Sequence, residues 1–249
     1  MQCRETGRKE DKMSETNYRY RRVLLKLSGE AISGKDGIIN FEFLDKIAST
    51  LCRLSSDGVQ IGIVFGAGNI WRGRSSGDMD RVTADRMGML ATVINSLACK
   101  DAIIRAGGRA VCMSATPMEP VCEYYRTDKA ISALESGNIV IFAGGTGSPY
   151  FSTDTAGILR AIEIKADALL LAKNVDGIYD SDPVKNPEAK RYDTLSYSEI
   201  LSKNLKAIDL SAAAMGSDFG PEAFAFRLAD TDDIIRACRG ECAGTVITK

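Results

Sequence analysis

Five short segments that are apolar almost throughout, rather than at every second residue, constrain the fold of this chain most strongly. Strands of this kind are buried on both faces, as in a parallel sheet that helices cover on its two sides. Between them lie segments whose apolar residues have helical spacing. The chain is therefore predicted to have an α/β fold with three layers and a mostly parallel central sheet. The predicted strands are 22–28, 60–65, 109–113, 139–143 and 168–172.

The predicted helices alternate with these strands along most of the chain. The longest extends over 83–106, and we expect it to be buried because its larger apolar residues fall on one stripe. That stripe consists of Met87, Leu90, Ile94 and Leu97. Beyond residue 179 the pattern is less regular. The other predicted helices are 41–54, 128–135, 154–165, 197–205 and 230–239, and the last strands are 223–228 and 245–248.

The start of the chain differs in composition from the rest. Residues 1–18 mix charges of both signs with almost no apolar residue, which predicts a disordered N-terminal extension. No repeat or linker divides the remainder, so residues 19–249 are predicted to form one domain. No apolar segment reaches the ~20 residues that span a bilayer, and no signal-peptide core is seen. We therefore expect a cytoplasmic protein without a membrane partner.

The composition excludes several classes of function. The 249 residues carry a net charge of −1, and no basic patch is visible, which argues against nucleic acid as a partner. The chain has no histidine, so His-based triads, His general bases and His-ligated zinc are all excluded. Its seven cysteines include no C-x-x-C pair, which predicts reduced thiols in a protein core.

Two glycine-rich turns directly follow predicted strands. The first is Ser28-Gly29, after a strand that contains Lys26, and the second is Gly66-Ala67-Gly68, before Arg72. Bare backbone N–H groups beside a fixed cation make a concave site for anions. Lys26 either meets an anion or extends to solvent at the strand end. Arg72 and Arg74 are either phosphate ligands or solvated loop charges. Two such turns predict two phosphate-bearing ligands that face each other.

Two other glycine patterns match known motifs poorly. Residues 29–35 fit G-x-x-x-x-G-K, but Asp36 stands where a P-loop has the Ser or Thr that holds Mg²⁺. Residues 66–71 begin like G-x-G-x-x-G but end in Trp71, where a dinucleotide-binding fold has a small residue. Both interpretations are therefore disfavoured.

Further segments carry polar residues that suit a nucleotide. Asp85 either favours the helix dipole or accepts from a ribose or a base. Asp154 is a helix N-cap, a partner of Lys26 or a ligand of Mg²⁺ through water. The hydroxyl and aromatic side chains of residues 146–153 suit a nucleoside monophosphate. Residues 173–183 form either an ordinary turn or a shelf for adenine.

Five segments together have a specific combination of motifs. They are Lys-Leu-Ser-Gly-Glu at 26–30, Phe-Gly-Ala-Gly-Asn-Ile-Trp-Arg-Gly at 65–73, Asp-Arg-Met-Gly-Met-Leu-Ala-Thr at 85–92, Gly-Thr-Gly-Ser-Pro-Tyr-Phe-Ser-Thr-Asp at 145–154 and Val-Asp-Gly-Ile-Tyr at 175–179. In these motifs the chain resembles the bacterial uridylate kinases of the amino acid kinase superfamily. The resemblance implies a sheet of about eight strands between helices, with UMP over the N-terminal half and ATP over the C-terminal half. It also implies ATP-dependent phosphorylation of UMP to UDP with Mg²⁺, in a homohexamer with GTP and UTP as effectors.

The resemblance further implies three sets of site residues. The catalytic set is Lys26, Arg72 and Asp154. The ATP-binding set is Lys26, Leu27, Ser28, Gly29, Gly68, Arg72, Asn174, Tyr179 and Asp182. The UMP-binding set is Ala67, Asp85, Thr146, Gly147, Ser148, Pro149, Tyr150, Phe151, Ser152 and Thr153. No side chain is expected to bind a metal directly.

The implied reaction needs no protein nucleophile, because a phosphate oxygen of UMP is already anionic and attacks the γ-phosphorus in line. Lys26 would neutralise the migrating phosphoryl group, Arg72 would bridge the two nucleotides, and Asp154 would orient Lys26. Three alternatives stay open. They are a kinase of the same fold that acts on a carboxylate or carbamate, a nucleotide-sensing regulator without turnover, and a nicotinamide oxidoreductase.

Overall fold

The structure, a computed structural model, describes residues 18–34, 37–71 and 77–249. Within these residues nine strands form one sheet. In sheet order they are β4 Glu123–Tyr124, β3 Ala110–Ser114, β5 Ile139–Ala143, β2 Gln60–Phe65, β1 Arg22–Leu27, β6 Ala168–Lys173, β10 Glu222–Arg227, β11 Gly244–Thr248 and β9 Thr194–Ser196. All of these neighbours pair in parallel except β10 and β11. The prediction of a mostly parallel sheet is confirmed, with nine strands in place of about eight.

Helices cover both faces of this sheet, as predicted. One face is covered by α1 Phe41–Ser56, α2 Arg81–Arg105 and α7 Asp232–Arg239. The other is covered by α3 Thr127–Glu135, α4 Thr153–Glu163, α5 Tyr197–Ser202 and α6 Leu210–Phe219. Each face has its own apolar core, because successive residues of a buried strand point to opposite sides. A separate antiparallel pair, β7 Ile178–Tyr179 and β8 Arg191–Tyr192, lies outside the sheet.

The order of the strands brings distant turns together. Strands β5, β2, β1 and β6 are neighbours and run parallel, so their carboxyl ends share one edge of the sheet. Glycine-rich turns follow the first three of these strands, at Gly144, Gly66 and Gly29. Ligands of open α/β sheets bind beyond the carboxyl ends of the strands. This edge is therefore where a ligand site is expected.

Three segments lie outside the described residues: 1–17, 35–36 and 72–76. The predicted extension, as well as Arg72 and Arg74, falls on them. Tyr18, which we assigned to the extension, packs against the fold. Its hydroxyl donates to Asp57 at 2.6 Å, and the guanidinium of Arg239 lies 5.4 Å from the centre of its ring.

The longest helix is not buried in the way that its sequence suggested. Met87, Leu90 and Ile94 are 36%, 52% and 45% exposed, so the prediction of a buried stripe is wrong for these three residues, whereas Leu97 packs against a small buried cluster. Smaller and polar residues face inward instead, because they let α2 approach α1, β3 and β5 closely. Among the described residues, α2 is long and apolar enough to cross a membrane, but 44% of its apolar window is buried within the fold.

The remaining differences concern weakly patterned segments. Helix α6 and the short strands β4, β7, β8 and β9 were not predicted, and the helix predicted over 197–205 ends at Ser202. The described cysteines are all free thiols, four of them buried and two partly exposed. This agrees with the prediction of reduced thiols.

Candidate functional site

An ion pair lies at the carboxyl edge of the sheet. Lys26, near the end of β1, places its Nζ 2.8 Å from Oδ1 of Asp154, and the two side chains are 15% and 20% exposed. Asp154 is the second residue of α4, whose N-cap is Ser152: the Ser152 hydroxyl accepts from the N–H of Asp154 at 2.9 Å. The alternative that Asp154 is itself the N-cap is therefore wrong. Its carboxylate is stabilised by both the lysine and the helix N-terminus.

The first two glycine-rich turns pack against each other beside this ion pair. The N–H of Gly66 donates to the carbonyl of Leu27 at 2.8 Å. Gly29 is buried, and a Cβ built on it would lie 2.7 Å from the nitrogen of Gly68 and 2.8 Å from the oxygen of Gly66. Real Cβ atoms do not come this close to backbone, so this position requires glycine. The two anion-binding turns that the sequence predicted thus form one surface.

A cavity of about 620 Å³ opens in front of this surface, between the turns and α2. Of the predicted site residues it is lined by Lys26, Ala67, Gly68, Asp85, Thr146, Phe151, Ser152 and Thr153. Its other lining residues are Trp71, Gly88, Met89, Thr92 and Gly145. Because it joins the lysine to hydroxyl, aromatic and carboxylate side chains, the cavity suits a phosphorylated ligand with a polar ring.

Some predicted residues lie elsewhere. Gly147, Ser148, Pro149 and Tyr150 belong to the same loop but do not line the cavity. The Leu27 side chain is buried in the core, and the Ser28 hydroxyl caps a short 3₁₀ helix, Gly29–Ile32, by accepting from Glu30.

Helix α2 holds the loop that forms the far wall of the cavity. Asp85 accepts from the N–H of Tyr150 at 2.8 Å and from Nε of Arg81 at 2.9 Å. Thr92, two turns further along the helix, accepts from the N–H of Gly144 at 2.9 Å. Gly144 has a φ of +76°, which glycine adopts without strain. The third glycine turn is therefore fixed by polar side chains of α2.

A second cavity of about 620 Å³ lies over the C-terminal half of the chain. Tyr179 and Asp182 line it, as predicted for the adenosine side, whereas Asn174 is exposed and lies outside its wall. The hydroxyl of Tyr179 donates to Asp176 at 2.6 Å, and Arg191 pairs with the same carboxylate at 2.8 Å. The hydrogen bond from Tyr179, together with Arg191, lowers the pKa of Asp176. This carboxylate therefore stays ionised and keeps the wall in place.

A second lysine lies between the two cavities. Lys173 ends β6, next to β1, and its Nζ donates to the carbonyl of Ala207 at 2.6 Å. Burial lowers the pKa of Lys173, and the nearby charge of Lys26 lowers it further, while Asp154 opposes both. Asp154 thus interacts electrostatically with a lysine on each of two neighbouring strands. Lys26 lines the first cavity and Lys173 lines the second, so this group of charges connects the walls of the two cavities.

No dedicated metal site is seen in the part of the chain that the structure describes. Its His, Cys, Asp and Glu side chains form no group of three or more that could hold a metal ion.

Three functional side chains were missed by the sequence reasoning. Trp71 donates from Nε1 to the carbonyl of Ala84 at 2.9 Å and so ties the second turn to α2. Thr92 holds the third turn, and Asp209 accepts from Thr155 at 2.9 Å and also from Ser152. The signal available for Thr92 was a polar residue within an otherwise apolar helix. Asp209 carried no comparable signal.

The chain is similar to several known proteins in sequence and in fold. A model of the amino acid kinase family matches residues 21–220. The chain is 48% identical over 233 residues to a uridylate kinase of Shewanella amazonensis, which covers 92% of this chain and 97% of that protein. It is 49% identical over 240 residues to a uridylate kinase of Pseudoalteromonas atlantica, which covers 94% and 97%. The crystal structure of a UMP kinase from Bacillus anthracis has a TM-score of 0.87 at 37% identity, covering 92% of this chain and 96% of that one.

Proposed function

Because this chain belongs to the amino acid kinase family, and within it to the uridylate kinases, we propose that it transfers the γ-phosphoryl group of ATP to UMP. A phosphate oxygen of UMP forms a bond to the γ-phosphorus while the bond from that phosphorus to the β,γ-bridging oxygen breaks, giving UDP and ADP. The observation that carries the proposal is the Lys26–Asp154 ion pair: Lys26 lines the first cavity, and both charges interact with Lys173, which lines the second.

The proposed roles follow from charge. The transition state of phosphoryl transfer is loose, and its negative charge is spread over the transferring oxygens. The ammonium of Lys26 neutralises this charge, and Asp154 holds the ammonium in one orientation at 2.8 Å. Arg72, which lies outside the described residues, bridges the donor and acceptor phosphates in this proposal. No general base is needed, since the attacking oxygen carries no proton.

Each nucleotide is assigned to one half of residues 19–249, which act as one domain in this proposal. UMP occupies the first cavity, where Asp85 and the loop of Thr146–Thr153 offer polar partners and an aromatic ring. ATP occupies the second cavity, where Tyr179 and Asp182 lie near the adenosine, and extends its phosphates to the glycine turns. The hydroxyls and backbone N–H groups at the junction support this arrangement.

The residues present fit a metal that arrives with ATP. Mg²⁺ keeps several water ligands and is held by substrate phosphates together with one or two carboxylates. Asp154, beside Lys26, would hold it through water. When bound, Mg²⁺ supplies further neutralisation of the phosphate charge.

A coupled assay with UMP and ATP tests the proposed function. We expect ADP and UDP in equal amounts, with Mg²⁺ required. N-Acetylglutamate, aspartate and carbamate, offered as acceptors in parallel, should not support ADP release. Turnover with one of these and not with UMP would assign the chain to another kinase. Binding of ATP and UTP without formation of any UDP would identify a regulator.

Adding GTP or UTP to the same assay tests whether each is an effector, which we propose from the resemblance.

Asp85 is expected to affect UMP more than ATP. Replacing Asp85 with alanine removes the acceptor for Tyr150 and one polar group of the first cavity. We expect KM for UMP to rise about ten-fold or more, with KM for ATP changing less than about two-fold. Asp101→Ala is the matched control, because Asp101 forms a similar ion pair with Arg105 on the same helix but is 69% exposed. Equal increases in both KM values would contradict a role on the UMP side.

We also propose that the cytoplasmic enzyme is a homo-oligomer, a homohexamer by resemblance, and that the exposed stripe of Met87, Leu90 and Ile94 lies between subunits. Leu90→Asp places a charge on this stripe, so we expect it to weaken association by about 100-fold or more. Analytical ultracentrifugation of the wild type and of the Leu90→Asp variant measures the oligomeric state of each. Phe219→Asp, on the exposed side of α6, is the control and should not change the assembly. A wild-type monomer would contradict the proposal.

A further inference from the structure

Two asparagine side chains behind the glycine turns pair with each other. Asn95 lies on the inward face of α2 and is fully buried, and Asn69 directly follows the second turn. Nδ2 of Asn69 donates to Oδ1 of Asn95 at 2.9 Å, and Nδ2 of Asn95 donates to Oδ1 of Asn69 at 2.9 Å. The contact is therefore reciprocal, with each amide acting as donor and acceptor.

Each amide has one further hydrogen, and both of these reach backbone carbonyls. Asn95 donates to the carbonyl of Gly66 at 2.8 Å, and Asn69 donates to that of Ile38 at 2.7 Å. All four amide hydrogens are thus used. Turning either amide by half a rotation would place its oxygen against a carbonyl oxygen. The surrounding backbone therefore fixes the orientation of both side chains.

The pair lies where the first and second turns touch. Asn69 Oδ1 occupies the space into which a Cβ on Gly29 would project, beside the backbone of Gly66 and Gly68. Neither asparagine is among the described residues that line the first cavity. The pair therefore acts on the turns and not on a ligand. A buried network whose members are all satisfied holds a single geometry.

We propose that Asn69 and Asn95 act as one positioning unit, which fixes the spacing of the two glycine turns and so aligns the donor and acceptor phosphates. This inference rests on the proposed function, since it assigns the unit to transfer between ATP and UMP. Contacts to the base and the ribose also contribute to the binding of each nucleotide, whereas in-line transfer depends on the alignment of the phosphates. Loss of the unit therefore reduces kcat more than it weakens binding.

A double-mutant cycle tests the proposal. Asn69→Ala and Asn95→Ala are each expected to lower kcat about 30- to 100-fold, with both KM values rising less than about five-fold. The double variant should be about as active as either single variant, because the first substitution already removes the unit. Ser96→Ala is the matched control. Ser96 is the neighbouring buried polar residue of α2, and its hydroxyl donates within the helix to the carbonyl of Thr92 at 2.7 Å. The kcat of the Ser96→Ala variant should stay near the wild-type value.

Three results would overturn the proposal. The first is that the kcat losses of the two single variants multiply in the double variant. The second is a rise in KM with unchanged kcat. The third is a lowered melting temperature with normal kinetics. The last result would make Asn95 a structural residue only.

Calorimetric binding of inorganic tripolyphosphate separates this inference from the proposed function, because it needs no turnover. The two single variants and the double variant should all bind tripolyphosphate more weakly than wild type, by the same factor of less than about five. If wild type shows no turnover with UMP but this pattern holds, the proposed function fails and the positioning unit stands. If turnover is normal and the variants bind and react like wild type, the positioning unit fails alone.

Discussion

Replacing Lys26 with alanine is expected to lower kcat by about three to four orders of magnitude while UMP still binds. The ammonium lies near the end of β1, held 2.8 Å from Asp154, in the wall of the first cavity. Its charge stabilises the negative charge that is spread over the transferring oxygens in the transition state, so its loss affects the transition state more than bound UMP. Steady-state kinetics gives kcat, and calorimetry with UMP shows whether the variant is folded and binds.

The exposed lysine Lys46 provides the control for this variant. Its Nζ also lies 2.8 Å from a carboxylate, that of Glu42, but the two side chains are 62% and 81% exposed. Lys46→Ala should therefore leave kcat unchanged, because an exposed ion pair contributes little. A Lys26→Ala enzyme with near-normal turnover would remove Lys26 from the mechanism. Loss of UMP binding together with activity would instead indicate a binding role or a folding defect.

Replacing Gly29 with alanine is expected to lower kcat by about 100-fold or more. The added Cβ would lie 2.7 Å from the nitrogen of Gly68 and 2.8 Å from the oxygen of Gly66, so the two turns must move apart. A shift of about 1 Å between donor and acceptor is enough for a loss of this size. The measurement is kcat with saturating UMP and ATP, with the melting temperature followed in parallel.

Gly37 is the matched control for the glycine substitution. A Cβ built on Gly37 would meet nothing within 4 Å, so Gly37→Ala should keep wild-type kcat. If Gly29→Ala is as active as Gly37→Ala, the close packing of the two turns has no part in catalysis.

The sheet could be predicted because its strands carry the signal in their own residues. The runs at 60–65 and 139–143 coincide with β2 and β5, since an unbroken apolar run has few alternatives to a doubly buried strand. The short strands β4 and β7 have two residues each and are defined by their partners, so no local pattern marks them. Helix α6 is rich in alanine and other small residues and lacks a clear polar face, which hides its period.

The site was predictable where function requires an unusual residue. A lysine within an apolar strand is recognisable in the sequence because burying its charge costs free energy, and Lys26 does pair with Asp154. Glycines directly after strands are recognisable because they permit turns that other residues disfavour. Apolar periodicity alone does not tell which face of a helix meets the core. On α2 the stripe with Leu90 faces outward, whereas Thr92 and Asn95 face the turns. The role of these polar residues depends on contacts with distant segments, which one helix cannot reveal.

The opposite faces of α2 have a consequence for how activity is measured. One face holds the glycine turns through Thr92 and Asn95, and the other presents Leu90 and Ile94 to the outside. Because packed helices are stiff, a subunit docked on the outer side of α2 also restricts the motion of the residues on its inner side. If subunits meet there, specific activity depends on the dilution of the enzyme. Rates of two preparations are then comparable only at the same protein concentration.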